Sequence, residues 1–248
     1  MLNIIASGIV VLVTHALEAI TGFGCTVLAL PFLTSLLGMK TGVMCATTLA
    51  WILAWYIIIT KRKDIVWKQA ALIIGCMLFG LPIGMHLFKS GDAATMKFAL
   101  SLFIIVVSLW QLIKLVWLKP RNTEQPKGWK AVPYYLLLVC GGIIHGMFSS
   151  GGPLVVLYAS KALPEKNNFR ATLCTVWATL NTIILASYFS PDSGYSTTTA
   201  TTTIALLPFL ALGIIAGEKV HDKVNAKVFS LIVFSMLFLT GIIMIITR

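Results

Sequence analysis

The chain has 248 residues, 58% of them apolar and only 11% charged, and its mean hydropathy is +0.93. A soluble domain carries roughly a quarter of charged residues, so a soluble enzyme is excluded, as are disordered and collagen-like chains. The net charge of +11 sits in short loops between apolar runs, which points to a polytopic membrane protein rather than a nucleic-acid surface.

A helix needs about 20 apolar residues to cross the hydrocarbon core. The start MLNIIASGIVVLVTHALEAITGFG lacks a basic leader and a small-residue cleavage site, so it reads as a retained first helix. It opens an apolar stretch over 2–37 that is broken by Thr21-Gly22-Phe23-Gly24. Candidate spans follow at 42–59, 67–88 and 98–117. A second long stretch, 134–163, is broken by Ser149-Ser150-Gly151-Gly152-Pro153, and further spans follow at 171–189, 199–217 and 228–246. Both broken stretches exceed one span, yet their second pieces, 25–37 and 153–163, are short for a full crossing. Each therefore reads as two helical arms joined by a turn at membrane depth. The runs do not alternate apolar with polar, which argues against an outer-membrane barrel.

If each broken stretch returns to the side it came from, the loops 60–68, 114–130, 161–170 and 218–227 share one face. They hold 15 of the 19 Lys and Arg, leaving Lys40, Lys89, Lys97 and Arg248 on the other. The basic face is then cytoplasmic, both termini are extracytoplasmic, and the segment 190–203, which has no basic residue, falls outside. The order of a broken stretch followed by three spans occurs twice, in 1–118 and 134–248, with 119–133 as a cytoplasmic linker. Gly80-x-x-x-Gly84 recurs as Gly213-x-x-x-Gly217, and His15 before the first turn is matched by His145 before the second. An odd number of crossings per half inverts the second copy. The expected fold is an all-α polytopic membrane protein of two inverted repeats, each an interrupted helical hairpin plus three transmembrane helices.

The turn Thr21-Gly22-Phe23-Gly24-Cys25, followed by Leu28-Ala29-Leu30-Pro31-Phe32-Leu33, resembles the glycine-rich signature of the TauE/SafE (TSUP) sulfite exporter family. So does Gly146-Met147-Phe148-Ser149-Ser150-Gly151-Gly152-Pro153, and Pro164-Glu165-Lys166 with Arg170-Ala171-Thr172 is similar to that family's segment after its second turn. Cys25 stands where a glycine is usual, and Ser149-Ser150 thin out the glycines of the second turn. The resemblance implies a multi-pass protein of a bacterial inner membrane that exports sulfite, an organosulfonate or a related small anion. An anion-selective channel and an importer of small carboxylates are the alternatives. No HExxH run and no paired acids at depth are present to suggest an enzyme, and no GxxxxGK[ST] run to suggest ATP-driven transport.

The candidate substrate site lies between Gly22, Phe23, Gly24 and Cys25 on one side and Ser149, Ser150, Gly151, Gly152 and Pro153 on the other. Helices starting near Cys25 and Pro153 present free N–H groups, and glycine lets an anion approach them. Glu18 is the only acid inside a span, and His15 lies one turn earlier on the same face, which makes the pair a candidate for proton coupling. His145 is a candidate donor to the anion. Thr48 (beside Thr47) with Trp51, and Thr175 with Trp177 and Asn181, are candidates for lining the pathway. Arg170 reads as a surface anchor, Trp67, Trp117 and Trp129 as interface anchors, and the GxxxG glycines as packing faces. The five cysteines, without metal-like spacing, read as buried small residues rather than disulfides, with Cys25 left open as an exception. No cofactor and no metal are expected; the expected partners are a small anion and the lipid bilayer, with a homodimer left open and no nucleic acid.

Overall fold

The computed structural model describes residues 2–22, 25–117, 128–188, 195–220 and 226–246, and every regular element among them is helical. In chain order these are α1 (Leu2–Thr21), α2 (Cys25–Leu37), α3 (Met39–Lys61), α4 (Trp67–Ser90) and α5 (Ala93–Trp117), then α6 (Val132–Phe148), α7 (Gly152–Ala162), α8 (Lys166–Tyr188), α9 (Thr197–Val220) and α10 (Ala226–Ile246). Among the described residues, α1, α3, α4, α5, α8 and α9 each contain a stretch long and apolar enough to cross a membrane. The architecture is an all-α polytopic membrane fold.

Both interruptions fall at the turns marked by glycine and serine, and both use left-handed backbone. Gly22 has φ 79° and its N–H closes on the Glu18 carbonyl at 2.7 Å; Ser149 has φ 51° and its N–H closes on the His145 carbonyl, also at 2.7 Å. These are helix C-terminal caps of the same kind. The chain restarts as helix three residues later in each case, at Cys25 and at Gly152.

The second arm of each hairpin returns to where the first began. At the open end of α1–α2 the Asn3 amide donates to the Leu36 carbonyl at 3.3 Å. At the open end of α6–α7, Lys161 donates to the Tyr134 hydroxyl at 2.6 Å and lies over its ring.

Glycine decides the closest helix pairs. A methyl on Gly80 of α4 would stand 2.8 Å from the Ile143 nitrogen of α6, and one on Gly142 of α6 would stand 2.9 Å from the Met77 carbonyl carbon of α4. On the opposite flank, methyls on Gly213 and Gly217 of α9 would meet the Leu12 and Ala16 carbonyl oxygens of α1 at 2.7 and 2.5 Å. The GxxxG glycines are thus packing faces, each directed at the other half of the chain. The remaining pairings follow the same exchange: α4 touches α8 as α3 touches α9, while α3 packs on α8 and α5 on α10. Helices α3 and α8 are the most buried of the long helices, and their apolar faces (Leu49, Leu53 and Ile57; Leu173, Val176 and Leu180) form the centre of the core.

Several expectations change here. Arg170 is not a surface anchor: it is 3% exposed and forms an ion pair with Glu218 of α9. Cys140 is exposed on α6, whereas Cys25, Cys45 and Cys174 are buried thiols. Trp67 and Trp129 are exposed, as interface residues should be. The linker 119–133 is described only from Gly128 on, and the side chain of Trp117 lies outside the described residues.

Candidate functional site

The tips of the two hairpins meet. Thr26, the second residue of α2, donates its hydroxyl to the Ser149 carbonyl at 2.7 Å across the molecule. Beside this contact lies a buried polar cavity of about 10 Å³, walled by Glu18 and Thr26 from the first hairpin, His145, Ser149 and Gly152 from the second, and Ala50, Trp177 and Asn181 from α3 and α8. That volume holds about one water molecule. A sulfur oxyanion has at least three heavy atoms more than water, so the cavity must widen to admit one.

Each wall has a local cause. The α2 N-terminus projects amides with no partner inside the helix, and the Cys25 N–H donates to Glu18 Oε2 at 3.2 Å. The first amide of α2 is thus satisfied by a side chain of the protein itself. Helix α7 offers the Gly152 amide at its tip, since Pro153 at the next position has none. His145 stacks on the Trp177 indole with ring centroids 5.3 Å apart. Its Nε2 lies 3.0 Å from Asn181 Oδ1 and so carries the proton, and its Nδ1 accepts from the Gly151 N–H at the long distance of 3.5 Å. Trp177 in turn donates to the Gly22 carbonyl at 3.2 Å, which ties the first turn to α8.

Thr47 closes the site on its other flank. Its hydroxyl donates to the Val43 carbonyl, accepts from Ser149 Oγ at 2.6 Å, and lies 3.5 Å from the Tyr188 hydroxyl. Beyond this chain opens a separate recess of about 520 Å³, lined by Thr48, Trp51, Thr182, Leu185, Tyr188 and Tyr195.

Of the residues named from the sequence, Glu18, His145, Ser149, Gly152, Trp177 and Asn181 line the cavity. Gly22, Cys25, Ser150, Gly151 and Pro153 form the turns and helix starts immediately behind it. Phe23 and Gly24 lie outside the described residues. Thr48 and Trp51 belong to the recess instead, where Trp51 donates to Thr182 at 2.8 Å. Thr175 turns its hydroxyl back onto the Ala171 carbonyl of its own helix. His145 is no free donor, because both its nitrogens are engaged within the protein. His15 is buried away from the cavity wall, its Nδ1 2.9 Å from the Val11 carbonyl and its Nε2 without a partner. Nor is His15 the counterpart of His145: aligning the left-handed positions Gly22 and Ser149 pairs Glu18 with His145.

Thr26 is a cavity residue that the sequence did not single out, whereas Thr47, named there with Thr48, contacts the site through Ser149. Thr26 carried a signal, a hydroxyl directly after a glycine turn at the start of an apolar arm. Among the described residues no group of three or more His, Cys, Asp or Glu could hold a metal ion.

No curated protein and no solved structure matches the chain. The sequence pattern of the family described as sulfite exporter TauE/SafE matches residues 7–244 of the 248, nearly the whole length. Two helical hairpins whose tips meet at a buried cavity suit a transport protein, and the chain belongs to the sulfite exporter TauE/SafE family of membrane transporters.

Proposed function

We propose that the protein is a secondary transporter that exports a small sulfur oxyanion, such as sulfite or an organosulfonate, across a bacterial inner membrane. The anion binds between the two hairpin tips. The observation that carries this reading is the Cys25 N–H held by Glu18 at the meeting point of both turns. An amide at a helix start, beside a cavity and satisfied by the Glu18 carboxyl that lines it, is an anion site with an internal competitor. Substrate displaces Glu18, and Glu18 leaves the amides when it takes up a proton, which links anion movement to proton movement. His15, the only other titratable side chain on α1, is the second candidate in this coupling.

The exchanged packing of α1 on α9 and α4 on α6 supports an inverted repeat, with 1–118 and 134–248 as the two copies. The closed hairpins support the assignment of the basic loops to one face, hence cytoplasmic, with both termini outside. A cavity of one-water size favours alternating access over a channel, which requires a continuous polar path.

The test is a binding screen on purified protein with sulfite, thiosulfate, sulfoacetate, taurine and simple carboxylates, followed by counterflow in proteoliposomes for whichever binds. Saturable counterflow of a sulfur oxyanion is expected, and Gly152→Val, which puts a side chain into the cavity wall, should abolish binding while folded protein still accumulates. Binding of carboxylates alone would redirect the reading to an importer of organic acids. Unchanged affinity in folded Gly152→Val would place the anion elsewhere.

A further inference from the structure

We propose that Arg170 is a second anion station on the path between the central cavity and the basic face, with Glu218 as its resident competitor. The proposal rests on the transport reading above. Arg170 is almost fully buried, and its Nε has no hydrogen-bond partner. An Arg side chain has five N–H donors, so a buried guanidinium with one left unused has room for a further acceptor. Its ion-pair partner Glu218, at the end of α9, is by contrast partly exposed, and Lys219, Lys223 and Lys227 follow it in sequence.

Position makes this arginine part of the route rather than a brace at its edge. Arg170, Cys174, Trp177 and Asn181 follow one another at helical spacing on one face of α8, and the last two line the cavity. Arg170 lies about 10 Å from Trp177 along the helix axis. The Gly22 turn sits directly on it: a methyl at Gly22 would come within 2.6 Å of Arg170 Cα. An anion released from the α2 start toward the basic loops thus meets the Arg170 guanidinium next. It replaces Glu218 there, the ion pair opens, and the pair closes again once the anion has left. The same exchange of a carboxylate for a substrate anion then occurs twice, at Cys25 and at Arg170.

The test reads access to Cys174, whose thiol lies beside the Gly22 carbonyl on the arginine face of α8. Cys25, Cys45, Cys76 and Cys140 are replaced by Ala, leaving Cys174 as the reporter. The protein is treated from the basic face with an anionic (sulfonatoethyl) or a cationic (trimethylammoniumethyl) methanethiosulfonate. With the pair intact, Cys174 is shielded and labels slowly with either. Glu218→Gln keeps the size of the side chain but releases the guanidinium, so labelling should accelerate, the anionic reagent reacting about tenfold faster than the cationic one. Adding Arg170→Gln should leave the site open but erase that preference. Should Glu218→Gln prove unstable, Glu218→Asp lengthens the pair and should give the same order at lower amplitude. Cys174 that stays as slow as in the parent overturns the proposal, and so does faster labelling with no preference for the anion. Binding of sulfite, thiosulfate, sulfoacetate and taurine to the parent is measured in parallel. If none of them bound, the transport reading would be refuted on its own, because the labelling order depends on Arg170 and not on the substrate.

Discussion

Replacing Glu18 by Gln removes the ionisable group at the α2 start while keeping the side chain's shape. In the structure Glu18 Oε2 accepts from the Cys25 N–H at 3.2 Å, so under the proposed function an anion must displace Glu18 from that amide. A hydrogen bond to a charged group is worth about 1.5–3 kcal/mol and a neutral one about 0.5–1.5, so Gln competes more weakly by about 1–1.5 kcal/mol. That difference corresponds to about five- to tenfold tighter anion binding in Glu18→Gln. Repulsion between the anion and the carboxylate adds to it. The probe is methanesulfonate, whose charge does not change over the working pH range, titrated calorimetrically into parent and variant. At alkaline pH the variant should bind about five- to tenfold more tightly, and in acid, where Glu18 is protonated, the two should converge. In liposomes the variant should lose flux driven by a pH gradient yet keep anion exchange, which needs no net proton movement. Equal affinities at alkaline pH, or parent binding that ignores pH, would refute the reasoning.

Thr47→Val keeps the volume but deprives the Ser149 and Tyr188 hydroxyls of a buried acceptor, which costs about 1–3 kcal/mol and lowers the thermal midpoint in detergent. Gly142→Ala on α6 forces a methyl to 2.9 Å from the Met77 carbonyl carbon; overpacking of this kind costs about 1–3 kcal/mol, whereas Gly75→Ala on the facing α4, with open space around it, should leave the melting temperature unchanged or raise it slightly. At the start of α5, hydrogen bonds from Thr95 and Ala94 hold the Asp92 carboxyl below its usual pKa. Its capping contribution is therefore present above the ordinary carboxylate pKa and fades as pH falls through the lowered folded value. Hydrogen exchange at the Ala94 and Thr95 amides, corrected for its intrinsic pH dependence, should lose protection there, and Asp92→Ala should abolish the pH dependence.

The two interruptions were legible because glycine, serine and proline punctuate apolar runs in a way that few other residues do. Their joint meaning was legible too, since neither arm that follows is long enough to cross. The partners were not. Gly80 and Gly84 announce a close helix contact, but nothing in that spacing names α6 rather than any other helix. Thr47 and Thr48 illustrate a finer limit: neighbours on a helix point about 100° apart, so one faces Ser149 and the other the recess. The composition of α3 does not say which. The pairing of His15 with His145 failed for a related reason. Chemical likeness suggested it, whereas the backbone aligns Gly22 with Ser149, a non-glycine residue at positive φ that no sequence pattern flags. Arg170 looked like an anchor because it sits at the charged end of a helix, and its burial arises from the distant α9, which brings Glu218 to it.

The packing of α1 on α9 also has a consequence for the newborn chain. Helix α1 carries Glu18 and His15, and the surface of α9 that shelters one side of it is synthesised nearly two hundred residues later. Until then α1 must wait in the bilayer, or at its edge, with a carboxylate insufficiently enclosed. A chain halted after α8 would keep both hairpin tips and every side chain that walls the cavity, yet it would lack the helix on which the first hairpin leans. Assembly of this flank therefore waits for α9, and chains truncated or stalled before it should be recognised by quality-control proteases through α1.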